Sequence, residues 1–233
     1  MKSPSKAFLS FTAILGILAC FYFTSNHSNV DVKIEEASPR KETLALFTTL
    51  GIEYLDETLI LSEMARKFDV RTSKRYQENP TVHEELTNRY RDEVERNVLA
   101  PMSIQWISSE IGYGVFAEQD IKEGSFIGVY SGVLEDDSLL ENFDYAWAYP
   151  AKTSEFEFYF SIDAALKGNE LRFVNDGIEP NCTAKYLIGK HSCWNICYIA
   201  LKDIKKGDQL LISYGESYWN NRDCKYLDYA NGM

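Results

Sequence analysis

The stretch Leu171–Cys182, LRFVNDGIEPNC, interleaves the polar Arg172, Asn175, Asp176 and Asn181 with the apolar Phe173, Val174 and Ile178. It is too polar for a core strand and too apolar for a surface loop. Polar groups drawn into an interior are costly unless they are bonded, so this pattern implies that each one is committed to a specific contact.

Two segments that echo each other flank this stretch: Val115–Gly132, VFAEQDIKEGSFIGVYSG, and Ile199–Gly215, IALKDIKKGDQLLISYG. Both run strand, Asp-Ile-Lys-x-Gly, strand. Gly124 and Gly207 take the turn position that tolerates positive φ, while Ile121 and Ile204 fold inward. From Ser103 onward the apolar period is two, with Val, Ile, Tyr and Phe runs punctuated by Gly and Asp, so short strands and turns dominate. The pattern predicts turn-linked strand pairs in one β-rich domain.

Upstream the period changes. LALFTTLGIEYLDETLILSEMARKF, residues 44–68, and VHEELTNRYRDEVERNVLAPM, residues 82–102, carry apolar residues at spacings of three and four and predict two helices broken at Asn79-Pro80. Residues 42–102 thus form a helical lead-in, read chiefly as an amphipathic scaffold with solvated charges. Residues 25–41 are polar, of mixed charge and aperiodic, as a tether is. Before them, Met1–Lys6 carries two lysines and Ala7–Phe23 runs seventeen residues without a charge. Residues 1–24 therefore read as a membrane-directing segment, intermediate between the ~20 residues of a spanning helix and the ~7 to 15 of a secretory h-region. A single N-terminal anchor and a cleaved signal with secretion both follow from it.

Charge excludes one class of partner. The 233 residues hold 24 basic and 35 acidic side chains, a net charge of −11, which disfavours direct nucleic-acid binding and suits a basic partner. Five cysteines, Cys20, Cys182, Cys193, Cys197 and Cys224, set up no disulfide framework. His191, Cys193 and Cys197 are spaced as strand residues, where positions four apart stand ~13 Å from each other, so no metal site is assigned and buried thiols are expected.

One ordered series of motifs remains. Gly112-Tyr113-Gly114-Val115-Phe116-Ala117 is followed by the first Asp-Ile-Lys-x-Gly, Val129-Tyr130-Ser131-Gly132, Ile162-Asp163-Ala164, Gly168-Asn169, LRFVNDGIEPNC, the second Asp-Ile-Lys-x-Gly and Ile212-Ser213-Tyr214-Gly215. In this order the series resembles the SET-domain family of protein lysine methyltransferases, over residues 103–219. The resemblance implies a mainly β fold of small sheets with a C-terminal pseudoknot, here behind an α-helical N-terminal lead-in. It also implies S-adenosyl-L-methionine as cofactor and a lysine-rich protein as substrate, a histone tail or ribosomal protein being candidates. Within LRFVNDGIEPNC, Arg172 and Phe173 would help hold the knot while Asn175 and Asp176 face the cofactor. Gly112, Tyr113 and Gly114 would approach the same cofactor, and Trp219 would stack near it. Tyr214 matches the catalytic tyrosine, shared between the amine and the cofactor methyl, and Tyr130 matches a channel-lining position.

Departures from the family are specific. Where its members usually carry Asn-His-Ser, this chain has Asn175-Asp176-Gly177, and no Cys-x-Cys cluster follows Tyr214, so residues 220–233 form an aromatic tail without zinc ligands. An alternative thus keeps the fold as a catalytically weak scaffold that grips basic peptides. A further one makes residues 42–102 and the anchor over residues 7–23 the working parts of a membrane adaptor.

Overall fold

The computed structural model describes residues 41–220; the expected anchor, most of the tether and the tail beyond Asn220 lie outside the described residues. Among the described residues, no helix is long and apolar enough to cross a membrane.

The lead-in is less helical than its periodicity predicts. Helix α1, Lys41–Leu50, stops where Gly51 takes φ +69° and the N–H of Ile52 returns to the carbonyl of Phe47 at 2.9 Å. Two short strands follow in place of a continued helix, β1, Glu53–Tyr54, and β2, Leu59–Ile60. Then come α2, Glu63–Lys67, and α3, Lys74–Glu78, each with a serine side chain capping its N-terminus, Ser62 and Ser73. Asn79 caps α4, Pro80–Arg89, with Pro80 opening the helix, and Tyr90 breaks the predicted second helix before α5, Arg91–Glu95.

The lead-in is not a separate layer, because its strands are claimed by the β domain. The remaining elements are β3, Met102–Ser108; β4, Gly112–Ala117; β5, Phe126–Val129; β6, Val133–Asp136; β7, Ala146–Lys152; β8, Glu157–Asp163; β9, Lys167–Gly168; β10, Asn175–Asp176; β11, Cys182–Ile188; β12, Trp194–Ala200; β13, Leu211–Ile212; and α6, Glu216–Asn220. β1 pairs in parallel with β9, and β2 joins the sheet β2-β6-β8-β7. Phe47, Ala65 and Val70 lie in the same buried cluster as Ile127, Leu134, Phe173 and Ile212. Tertiary pairing has overridden local helical period here.

The small sheets expected from the family resemblance are present: β3-β4, β11-β12-β5 and the pair β10-β13 complete the set. Neither echoing segment closes on itself as a hairpin, which corrects the predicted turn-linked pairs. They pair with each other instead. Ile121 and Ile204 exchange both backbone hydrogen bonds at 2.8 Å, and Phe116 bridges Gln209. Asp120 accepts from the N–H of Lys206 and Asp203 from that of Glu123, both at 2.9 Å, so each aspartate caps the other segment's turn. Gly124 and Gly207 hold φ +75° and +91° at those turns. The expected buried thiols are found at Cys182, Cys193 and Cys197.

Strand β13 arrives from the far end of the chain to lie parallel to β10, with Asn175 opposite Leu211 and Asp176 opposite Ile212. Asn181 clamps this crossing through all of its polar groups. Its side chain donates to Gln209 O and accepts from Leu211 N–H, both at 2.8 Å, while its backbone N–H reaches Leu211 O and its carbonyl takes Leu201 N–H. One of the four polar residues in the opening stretch is thereby accounted for.

Candidate active site

Of the other three, Arg172 lines a cavity while Asn175 and Asp176 bond to β4 and to Tyr214 beside it. Arg172 lies in a 3₁₀ turn, Glu170–Phe173, capped by Asn169, and is buried; its Nε donates to Ala164 O at 2.7 Å and its Nη2 to Ala165 O at 3.2 Å. The guanidinium lies 4.1 Å from the ring centre of Tyr145 and 4.5 Å from that of Phe173. Burial pulls its pKa down, and an arginine guanidinium keeps its charge in proteins. Phe173 packs edge-on between Tyr113 and Phe47, at 5.9 and 5.6 Å.

Asn175 and Asp176 join this turn to the chain's two ends. The side-chain amide of Asn175 donates to Tyr113 O at 3.0 Å, tying β10 to β4. With that nitrogen committed, the Oδ1 of Asn175 is the atom left to accept from a ligand. Asp176 Oδ1 accepts from the backbone N–H of Tyr214 at 2.7 Å. A carboxylate therefore serves in this position, where the family's usual histidine stands elsewhere.

Arg172, Val174 and Tyr214 also line a cavity of about 50 Å³, whose walls are otherwise mainly aromatic: Tyr130, Tyr145, Trp147, Tyr198 and Tyr218, with Asp144 beside them. Tyr214 donates its hydroxyl proton to Val174 O at 2.8 Å and Tyr130 donates to Tyr145 O at 2.5 Å. Tyr198 accepts from the indole N–H of Trp147 at 3.1 Å and stacks on Tyr130 at 6.0 Å. Burial pushes the phenols of Tyr130, Tyr198 and Tyr214 far up, so all three keep their protons at neutral pH and act as dipoles, not as bases. Trp219 stacks on Tyr214 at 6.4 Å with rings 17° from parallel, and Tyr218 meets Tyr214 edge-on at 4.6 Å.

The sequence-derived residues thus fall into two groups that share Tyr214. Tyr130, Arg172 and Tyr214 meet at the cavity, whereas Gly112, Tyr113, Gly114, Phe173, Asn175 and Asp176 meet at the β4–β10 junction. That junction presents one uncommitted side-chain oxygen, Asn175 Oδ1, beside the glycines of β4. A side-chain carbon on Gly114 would come within 2.5 Å of Ile107 Cδ1 and 2.7 Å of Gln209 Nε2 and would have to push both side-chain ends aside, while Gly112, at φ +80°, has open space before it and backbone to present. Sequence reasoning missed Asp144, Tyr145, Trp147 and Tyr198. A signal existed for two of them, since Tyr145 and Trp147 begin an alternating aromatic run in YAWAY; nothing in the β12 pattern marks Tyr198 off from its neighbours.

Comparisons with known proteins agree with this architecture. EZH2, a histone-lysine N-methyltransferase of Chaetomium thermophilum, is 31% identical over 119 residues, covering 47% of this chain and 8% of that protein. ASHH2, a histone-lysine N-methyltransferase of Arabidopsis thaliana, is 34% identical over 115 residues, covering 46% and 6%. This chain therefore spans less than a tenth of either relative. Among solved structures, ATXR5 in complex with histone H3.1 shares the fold, with a TM-score of 0.57 at 20% identity over 79% of this chain and 88% of that one. Residues 112–215 match the family model of the SET domain. From the paired Asp-Ile-Lys-x-Gly segments to the β10–β13 crossing, residues 112–215 carry a SET domain.

Proposed function

We propose that the protein is an S-adenosylmethionine-dependent protein-lysine N-methyltransferase acting on a lysine-rich protein, with a histone tail or ribosomal protein as candidates, and tethered to or exported across a membrane through residues 7–23. One observation carries the reading. Tyr214 belongs both to the aromatic cavity and, through Asp176, to the strand that presents Asn175. The two curated relatives are histone-lysine N-methyltransferases by name, and the net charge of −11 suits a basic substrate.

The chemistry follows from what a lysine must become. Its amine titrates near ~10.4, and deprotonation near neutrality costs about 4 kcal/mol. A dry cavity lowers that cost, because desolvation disfavours the charged form. The Arg172 guanidinium on its wall acts in the same direction, since a second positive charge beside it is repelled. The oxygens of Tyr130 and Tyr214, whose protons are committed to backbone carbonyls, accept N–H bonds from the amine and aim its lone pair. Gly112–Gly114, Asn175 and Asp176 would hold S-adenosylmethionine, which would supply an electrophilic methyl group when bound. Rings of Tyr214, Tyr218 and Trp219 close the channel against water and tolerate the methylammonium product by cation–π contact.

The test uses the full chain, purified with detergent, incubated with labelled S-adenosylmethionine and core histones or ribosomal proteins, and read by mass spectrometry. Methyl label on lysine is expected. Cofactor binding in calorimetry without label on any protein favours the peptide-gripping scaffold, and absence of cofactor binding overturns the transferase reading.

A further inference from the structure

Charge in the lead-in runs against the charge of the whole chain. Residues 64–77 carry Arg66, Lys67, Arg71, Lys74 and Arg75 against Asp69 alone, although the protein has a net charge of −11. Three of these cations have firm local contacts: Arg71 bonds Glu84 at 3.0 Å, Arg75 lies 4.1 Å from the ring centre of Tyr186, and Arg66 donates to Ile60 O at 2.5 Å. Lys67 and Lys74 are mostly exposed, and their pairs with Glu63 and Glu78, at 3.5 and 4.0 Å, are of the solvated kind that holds little. Both lysines are open to a denser anionic surface.

Apolar side chains lie among these cations. Leu61, Met64 and Phe156 are each more than half exposed. Met64 shares a face of α2 with Lys67 and with Phe68, which caps the helix. The Phe68 ring meets Phe158 edge-on at 6.3 Å, and Phe158 stacks at 6.1 Å on Phe156, at the tip of the β7–β8 hairpin. The carboxyl of Glu157 is held below its ordinary pKa first by Lys152, bonded to it at 2.6 Å, and also by Lys74, so α3 stands beside the same tip. One continuous face results.

Cations around exposed Leu, Met and Phe suit the headgroup layer of an anionic bilayer, which takes both kinds of side chain. A nucleic acid would use the cations and leave the apolar groups in water. The chain before Lys41 points the same way. Ala7–Phe23 is an uncharged apolar run, and residues 24–40, fully extended, span at most ~60 Å, against a breadth of ~40 Å for a domain of this size. Such a tether lets any face of the domain meet the membrane, and surface chemistry selects one. On the membrane part of the reading above, we propose that the face formed by Leu61, Met64, Lys67, Lys74 and Phe156 docks on anionic lipid headgroups. Strand β7 begins with Ala146 and Trp147 on the cavity wall and ends at Lys152 beside the tip, so docking there holds the cavity ~20 Å along the strand from the headgroups. Transfer then takes place above the lipid surface, where a protein substrate has room.

The test uses the full chain reconstituted in vesicles of phosphatidylcholine alone or of an equal mixture with phosphatidylserine, and follows backbone hydrogen exchange by mass spectrometry. Over residues 61–75 and 152–158, exchange should be at least about threefold slower on the anionic vesicles than on the neutral ones, while β3–β4 is unchanged. Lys67→Gln combined with Lys74→Gln should abolish that difference, and Phe156→Ser should reduce it. All three side chains are exposed, so the variants should fold, as circular dichroism checks. Equal exchange of wild type on the two vesicle types, or a difference that survives in both variants, overturns the proposal. Protection of these residues by duplex DNA and not by anionic vesicles also overturns it and marks a nucleic-acid surface. If the full chain fails to float with neutral vesicles, the anchor over residues 7–23 is refuted and the docking face is judged by itself: flotation with anionic vesicles that is lost in the lysine variant supports it, and no flotation overturns it.

Discussion

Asp176 accepts the backbone N–H of Tyr214 at 2.7 Å, joining two residues 38 positions apart at the crossing of β10 and β13. The bond explains how a chain with Asp where its family usually has His keeps the crossing intact. A carboxylate is a stronger acceptor than a neutral imidazole, and this one is aimed at the N–H of the very tyrosine that faces the cavity.

Replacing that carboxylate separates positioning from charge. Asp176→Ala leaves the Tyr214 N–H without its partner and should destabilise the protein by about 1 to 3 kcal/mol. Asp176→Asn keeps an acceptor and should lose less. Urea unfolding of both variants, with cofactor calorimetry alongside, makes the comparison; equal stability of Asp176→Ala and wild type would show that the bond holds nothing.

Tyr214→Phe removes one hydroxyl whose proton is bound to Val174 O. Its ring contacts with Tyr218 and Trp219 remain, so folding should change little. Turnover should fall by about 10² to 10⁴-fold, the usual worth of a positioned polar group in a transition state. Tyr130→Phe should slow transfer less. The carbonyl it abandons, Tyr145 O, still accepts from Ala164 N–H at 3.1 Å, so the stability cost should stay near 1 kcal/mol. Initial-rate measurements on a methylated substrate rank the two, and wild-type turnover in Tyr214→Phe would remove its assigned role.

What the sequence disclosed and what it hid divide by range. Gly124, Gly207, Ile121 and Ile204 were legible because turn conformation and strand period are local properties. The reciprocal caps Asp120–Lys206 and Asp203–Glu123 join residues 86 and 80 positions apart, and no local pattern encodes them. The same limit explains Leu59-Ile60, whose neighbours have helical spacing but which pair with Val133-Leu134. At the candidate site, motif order singled out Tyr130, Tyr214 and Asn175. Tyr198 stayed hidden because Cys197 and Tyr198 are both fully buried strand residues, and only the tertiary structure shows which of them meets the cavity.

The lead-in should prove inseparable from the domain. Phe47 is 1% exposed and packs edge-on against Phe173, one residue from Arg172. Phe47→Ala should cost about 3 to 5 kcal/mol, as other buried Phe truncations do. A chain beginning at Ser103 loses Phe47, Ala65, Val70 and Tyr90 from the core together and should not fold. Circular dichroism and urea unfolding test both, and a folded, stable chain from Ser103 onward would restore the reading in which residues 42–102 are an adaptor with work of their own.

Glu170 supplies the pH dependence. It is 4% exposed in the turn that carries Arg172, and Tyr54 of β1 donates its hydroxyl to Oε2 at 2.9 Å. Burial raises its pKa, against the lowering effects of a backbone hydrogen bond and of Tyr54. An unfolded glutamate titrates near ~4.3, so below that pH both states are protonated and the contribution of the neutral carboxyl is complete. As pH climbs past that value the unfolded chain ionises first, and stability declines until the folded value is passed. Glu170→Gln keeps an acceptor for Tyr54 and cannot ionise. It should therefore match wild type near pH 4 and be the more stable protein at pH 8, whereas Tyr54→Phe, which leaves the ionised carboxylate without its hydroxyl donor, should lose about 1 to 3 kcal/mol at pH 8. Thermal unfolding across that range decides it. If Glu170→Gln is instead less stable than wild type at pH 8, the native state prefers the charged carboxylate, and the turn beneath Arg172 is held by an ionised acceptor.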